Sequence, residues 1–169
     1  MNEKNWSKLS SVAELVSSIA ILVTLIILVV EIRQNTEAQN AQSRQAVLQS
    51  SQTELLYSVS NPELNLSIVK PGALTPEENT RLGDYLTAIM RAREYSWLQF
   101  NNGIIDDEQW ATEQVVIESV LSSTRTRKWW NVIGKEQVGA DFAAFVDDRL
   151  RGKPVDDEFW FKAINWDGQ

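Results

Sequence analysis

Arg91, Arg93 and Glu94 interrupt an otherwise apolar helical face made by Leu82, Leu86, Ile89, Met90, Leu98 and Phe100. Charged groups placed inside such a run have two uses. They line a polar cavity that takes a small ligand, or they form an internal ion pair and keep their heads in water. The second use is the commoner one. The other groups with chemical potential are the paired acids Asp106-Asp107, Asp147-Asp148 and Asp156-Asp157. Each pair falls at a helix start, a helix end or a loop, where a carboxylate caps backbone N–H groups or is simply solvated. The chain has no His and no Cys. The usual general base, imidazole metal ligand, thiol nucleophile and disulfide framework are therefore absent. A di-metal carboxylate bundle would need Glu-x-x-His pairs. No glycine-rich phosphate loop, nucleophile elbow or zinc-protease helix motif occurs. The expectation is a protein that is not an enzyme, with no catalytic, cofactor-binding or metal-binding residues.

The elements that must carry these residues read as helices throughout. From Val12 to Val30 the chain is almost purely apolar, with Glu14 near its start and Thr24 the one polar residue after Ile19. At about 1.5 Å per residue this stretch spans about 28 Å, close to a bilayer core. A soluble core helix would show a polar face, and a secretion signal would have a shorter run followed by a small-residue cleavage site. Glu31-Ile32-Arg33-Gln34 follows instead, so an uncleaved transmembrane anchor is predicted. Trp6 is expected near one interface. Ala13, Ser17, Ala20 and Thr24 are small residues through which another helix could approach, and Glu14 could pair with a partner group or sit in the headgroup zone beside Lys8. Lys4 and Lys8 before the span are matched by Arg33 and Arg44 after it, so positive charge does not set the orientation.

No Gly or Pro occurs between Val30 and Pro62, which predicts one helix continuing to about Ser60. Its thin apolar stripe (Ile32, Ala38, Ala41, Val47 or Leu48, Leu55, Val59) suits a stalk or a helix packed on one side. Helix starts follow at Asn61 with Pro62, at Thr75 with Glu78 as a capping box, at Asp106, at Ser123 or Thr124, and at Asp141. Gly103 is an expected stop. Phe159, Trp160, Phe161 and Trp166 form a last amphipathic segment whose apolar surface needs covering by the bundle, a partner or a membrane interface. No segment alternates with period two. The predicted architecture is all-α: an N-terminal tail (1–10), a transmembrane helix (11–31), a stalk helix (32–60), a small helical bundle (61–152) and an aromatic amphipathic tail (153–169). Tyr95, Trp97, Trp110, Trp129 and Trp130 are expected to fill the bundle core and its edge.

The phrases "LVVEIRQNT" (Leu28 to Thr36), "LTPEE" (Leu74 to Glu78), "GIIDDEQW" (Gly103 to Trp110), the pair Trp129-Trp130 and Phe142 to Asp147 occur in that order. In this the chain resembles a group of uncharacterised bacterial single-pass membrane proteins. The resemblance covers most of the chain and implies an inner-membrane location, with the soluble part leaning to the cytoplasmic side. It implies no activity.

Acidic residues outnumber basic ones, 23 to 16, for a net charge of -7. Nucleic acid is not an expected partner, and strong attraction to anionic lipid is not expected either. The leading expectation is a non-enzymatic accessory or scaffolding subunit of a larger membrane complex, such as a photosynthetic reaction-centre–antenna or respiratory assembly. Other membrane-protein subunits and the bilayer are its partners, and Phe159, Trp160, Phe161 and Trp166 its docking residues. A homo-oligomer through the small-residue face is a further option. The rival is a membrane-tethered sensor, a helical domain binding a small ligand around Arg91, Arg93 and Glu94. That reading predicts an enclosed polar pocket. The scaffold reading predicts a filled core and an exposed apolar face.

Overall fold

The computed structural model describes residues 3–168, with side chains from Val12 onward. Trp6, Lys4 and Lys8, singled out in the sequence, have side chains outside the described residues. Among the described residues the chain is all-helical. The helices are α1 (Glu3–Ser60), α2 (Pro62–Val69), α3 (Pro76–Asn101), α4 (Asp107–Val120), α5 (Thr124–Val132), α6 (Ala140–Leu150) and α7 (Asp157–Ile164). A 3-10 turn, Gly134–Gln137, joins α5 to α6. Helicity begins at Glu3, inside the stretch expected as a tail, because no Gly or Pro interrupts it. The chain divides into two compact units, one ending at Gln42 and one beginning at Ser43.

In the first unit the apolar stretch is helical and exposed along its length from Val12 to Val30. This helix is long and apolar enough to cross a membrane. Two hydroxyls on it bond back to the helix's own carbonyls, an arrangement compatible with hydrocarbon. The Thr24 hydroxyl donates to the Ala20 carbonyl at 2.9 Å and the Ser18 hydroxyl to the Glu14 carbonyl at 2.9 Å.

The second unit takes in the last turns of α1, all later helices and the C-terminal segment. The compact unit begins at Ser43, and Val47 of α1 enters the core with 1% of its surface exposed. Pro62 ends α1: it lacks an N–H and forces Asn61 out of helical geometry, to φ -133° and ψ 62°. Asn61 was expected to cap α2, but its side chain makes no such bond. Its amide donates backward to the Tyr57 carbonyl at 2.9 Å and closes α1 instead. Thr75 and Glu78 form the expected reciprocal box at the start of α3. Asp106 accepts the Gln109 N–H at 2.8 Å, and Ser123 accepts the Thr126 N–H at 3.2 Å. Helix α6 opens one residue before the expected Asp141, at Ala140. Helix α3 ends in a Schellman pair: the Gly103 N–H donates to Phe100 O at 2.8 Å and the Ile104 N–H to Gln99 O at 2.9 Å. This closure needs the left-handed φ of +69° that Gly103 supplies.

The core is formed by Leu86 and Met90 of α3, Ile117 of α4, Trp130 of α5, and Phe142 and Val146 of α6, with Leu121 just after α4. Each such side chain contributes roughly 1.5–3 kcal/mol through burial. Trp97, Phe100, Trp110, Phe142 and Phe145 form a connected aromatic cluster with centroid separations of 5.4–6.1 Å. The Trp129 ring packs so closely on Gly134 that a Cβ there would come within 2.7 Å of it. Arg125 supplies a tie with no sequence signature. Its guanidinium donates to the carbonyls of Ser67, Ile68, Lys70 and Gly72, gathering the unpaired carbonyls at the end of α2.

Candidate functional site

The charged residues of α3 are sorted into three separate roles. Arg93 points inward, with 3% of its side chain exposed, and bridges two carboxylates. Its Nη2 lies 2.5 Å from Glu54 Oε2 of α1, and its Nη1 lies 2.7 Å from Glu113 Oε2 of α4. Glu113 is 7% exposed and Glu54 20%. The three charges thus lock α1, α3 and α4 together and leave one excess negative charge. Hydrogen bonding within the group is incomplete: Glu54 Oε1, Arg93 Nε and Glu113 Oε2 have no aligned partner. The 2.7 Å approach of Glu113 is thus a charge contact and not a well-formed hydrogen bond. Burial raises the Glu54 carboxyl above the ordinary carboxylate range. Arg93 pulls it back, and Glu113 pushes it further up. Arg91 is exposed, and Glu94 accepts the Gly139 N–H at 2.6 Å ahead of α6. Arg91, Arg93 and Glu94 therefore do not converge on one cavity. The sequence could not supply Glu54 and Glu113, which arrive from other helices.

The paired acids serve as structural partners. Asp147 accepts the Trp130 indole N–H at 2.8 Å and meets Lys135 at 3.1 Å. Asp156 caps α7 through the N–H groups of Glu158 and Phe159. Asp157 accepts the Thr124 hydroxyl at 2.6 Å and its N–H at 2.7 Å, and these two bonds hold its carboxyl below the ordinary range. Among the described residues no group of three or more His, Cys, Asp or Glu side chains is placed to hold a metal ion.

The aromatic tail is divided by these contacts. Trp160 packs on the core, donates its indole N–H to Ser119 O at 2.9 Å, and meets the Phe159 ring edge-on at 5.7 Å. Phe161 and Trp166 face outward, 60% and 85% exposed. The tail helix is thus fastened by Asp157 and Trp160 while it presents two aromatic faces.

The part of α1 in the second unit shows the most unusual distribution. The residues shielded by the bundle are Ser43, Ala46, Val47, Ser50, Ser51, Glu54 and Ser58, of which only Val47 is fully buried and only Ala46 and Val47 are apolar. Ser58 accepts the Asn65 amide at 2.7 Å. The apolar residues Leu48, Leu55, Leu56 and Val59 are all exposed. Their spacing puts Leu48, Leu55 and Val59 on one helical face with Leu56 beside it. An amphipathic helix packed only on its own domain buries its apolar stripe. This one turns Leu48, Leu55, Leu56 and Val59 outward and is held inside by Val47, by the Tyr57 ring 5.9 Å from that of Tyr85, and by the charge and hydroxyl contacts of Glu54 and Ser58. In the first unit, Ala13, Ser17, Ala20 and Thr24 share one exposed face of the same helix, with Glu14 beside them.

Comparison with protein families, curated proteins and solved structures finds no match to this chain.

Proposed function

We propose that the chain is a non-enzymatic accessory subunit of a bacterial inner-membrane assembly. The apolar helix anchors it, and the second unit docks a helix of another membrane-anchored protein. The carrying observation is the outward face of Leu48, Leu55, Leu56 and Val59. Contiguous exposed apolar residues on an otherwise well-packed domain mark interaction surfaces. A helical partner fits because the residues follow helical spacing and would lie against a second helix as ridges against grooves. A membrane-anchored partner fits because anchoring confines the chain to the bilayer, where a second anchored protein is met at high effective concentration. Phe161 and Trp166 supply a second apolar contact, and the face of Ala13, Ser17, Ala20 and Thr24 supplies lateral packing. Arg93 is spent on Glu54 and Glu113, and Arg91 and Glu94 point elsewhere, which favours a scaffold over a sensor built on Arg91, Arg93 and Glu94.

The test places a photo-crosslinking amino acid at Leu55, at Trp166 and, as a control, at Arg151, in the full chain in its native membrane. The expected result is one membrane protein joined at Leu55 in stoichiometric amount and lost on Leu48→Glu. Self-crosslinks alone, or products equal to those at Arg151, would overturn the reading.

A further inference from the structure

The second unit contains a cleft of about 680 Å³ between the end of α2, the following loop, α3 and α5. Its size falls in the ordinary range for small-molecule sites. Its walls are apolar, built by Ile68, Leu82, Leu86 and Val132 together with the face of Trp129. Its charge is opposite to that of the chain. Lys70, Arg125 and Lys128 line it with a single carboxylate, Asp157, in a protein of net charge -7. The cleft of about 620 Å³ between α1 and α3 is the reverse, with Glu54 and Asp84 and no cation among its lining residues.

The polar groups of the first cleft are not equally engaged. Lys70 is paired with Glu78 at 2.6 Å, and Arg125 spends its donors on backbone carbonyls while keeping its charge. Asp157 is held by Thr124. Among the described residues Lys128 has no ion pair, and the Trp129 indole N–H has no acceptor. Trp130 and Trp160 donate theirs to Asp147 and to the Ser119 carbonyl, while Trp97 and Trp110, packed among the core aromatics away from this cleft, are like Trp129 without an acceptor. Two unspent donors on successive residues of α5 therefore stand at the edge of an apolar cleft in which Lys70 is neutralised by Glu78 and Lys128 is not paired.

We infer that this cleft binds a single-chain amphiphile with an anionic head, a carboxylate or a phosphate ester. Lys128 and the Trp129 N–H hold the head, and the apolar wall holds the aliphatic body. Charge selects the head, because the excess positive charge attracts an anion and leaves an uncharged homologue without compensation. The apolar wall supplies affinity in proportion to the chain length it covers. This site is independent of the outward face of α1.

The test uses the full chain in phosphatidylcholine nanodiscs, titrated with terminally brominated dodecanoate, a contact quencher of Trp emission. The expected result is saturable quenching that is lost in Trp129→Phe. Lys128→Glu weakens it about tenfold or more, and Arg151→Gln leaves it unchanged. Lys128 is exposed and unpaired, so its variant keeps the fold. Brominated dodecanol is expected to bind about tenfold more weakly or worse. Equal binding of acid and alcohol, quenching that does not saturate, or a Lys128→Glu variant that binds as wild type would overturn the inference. Adding phosphatidylglycerol to the nanodiscs distinguishes the source of the head. Competition by this two-chain lipid would overturn the single-chain assignment, and undiminished quenching supports a free single-chain amphiphile.

Discussion

Replacing Arg93 with Met should be among the most damaging single changes in the second unit, and the damage should depend on pH. Arg93 lies 2.5 Å and 2.7 Å from two carboxylates, with almost no solvent access. At an effective dielectric near 20, each contact is worth about 6 kcal/mol of attraction. Most of this is offset by removing three charges from water, at several kcal/mol each. What the variant exposes is the remainder plus an uncompensated pair of buried carboxylates, so the expected loss is about 3–5 kcal/mol near neutral pH. Acid should relieve it. Without Arg93 the Glu54 carboxyl loses the charge that pulls it down while burial still raises it, so the folded state takes up a proton that the unfolded state does not. The deficit relative to wild type should therefore shrink as the pH falls from about 7 toward about 5. In the wild type Glu54 already titrates high. Its protonation favours the fold below its unfolded pKa, and that gain is lost as pH rises through the folded value. Urea unfolding of the full chain in micelles, followed by Trp emission at both pH values, measures the difference. A loss under about 1 kcal/mol, or one that is the same at both pH values, would refute the electrostatic argument. The triple variant Glu54→Leu, Arg93→Met, Glu113→Leu should be as stable as wild type or up to about 4 kcal/mol more stable, because unaligned charges are replaced by apolar packing.

Arg125→Ala removes four donor contacts to the end of α2 and should cost about 2–3 kcal/mol in urea unfolding; Arg125→Lys should recover little, because a point charge cannot span four carbonyls. Gly134→Ala drives a methyl into the Trp129 ring and should cost about 1–3 kcal/mol, read as a lower melting temperature. Asp157→Ala should release α7, seen as faster hydrogen exchange from Asp157 to Ile164 with the rest of the unit still protected. Acid should do the same in the wild type: the folded pKa of Asp157 is depressed, so its contribution is present above the unfolded value and lost as pH falls through the folded one. Trp166→Ser should leave the unfolding curve within about 0.5 kcal/mol of wild type, since the ring touches little of the fold.

Local rules carried much of the helical architecture. A run without Gly or Pro, closed by Pro62, set the extent of α1. The Thr75–Glu78 box, Asp106, Ser123 and Gly103 marked helix ends through bonds made within a few residues of each other, and such bonds are written in short spacings. The apolar stretch from Val12 to Val30 likewise needs no partner to be read as long enough to cross a bilayer. Other features depended on contacts between residues far apart in the chain. The sequence left Val47 and Leu48 as equal candidates for the packed face of α1, and only packing against the bundle turned Val47 in and Leu48 out. Arg93 was visible as an anomaly, but its partners Glu54 and Glu113 lie on other helices with no spacing that links them to it. Trp160 and Trp166 looked alike in the tail, and a single carbonyl, that of Ser119, made one of them structural. The cleft beside Lys128 and Trp129 has no motif at all. It exists because the α2–α3 loop, α3 and α5 meet around it, and the charge of a surface is decided by which side chains the fold brings together.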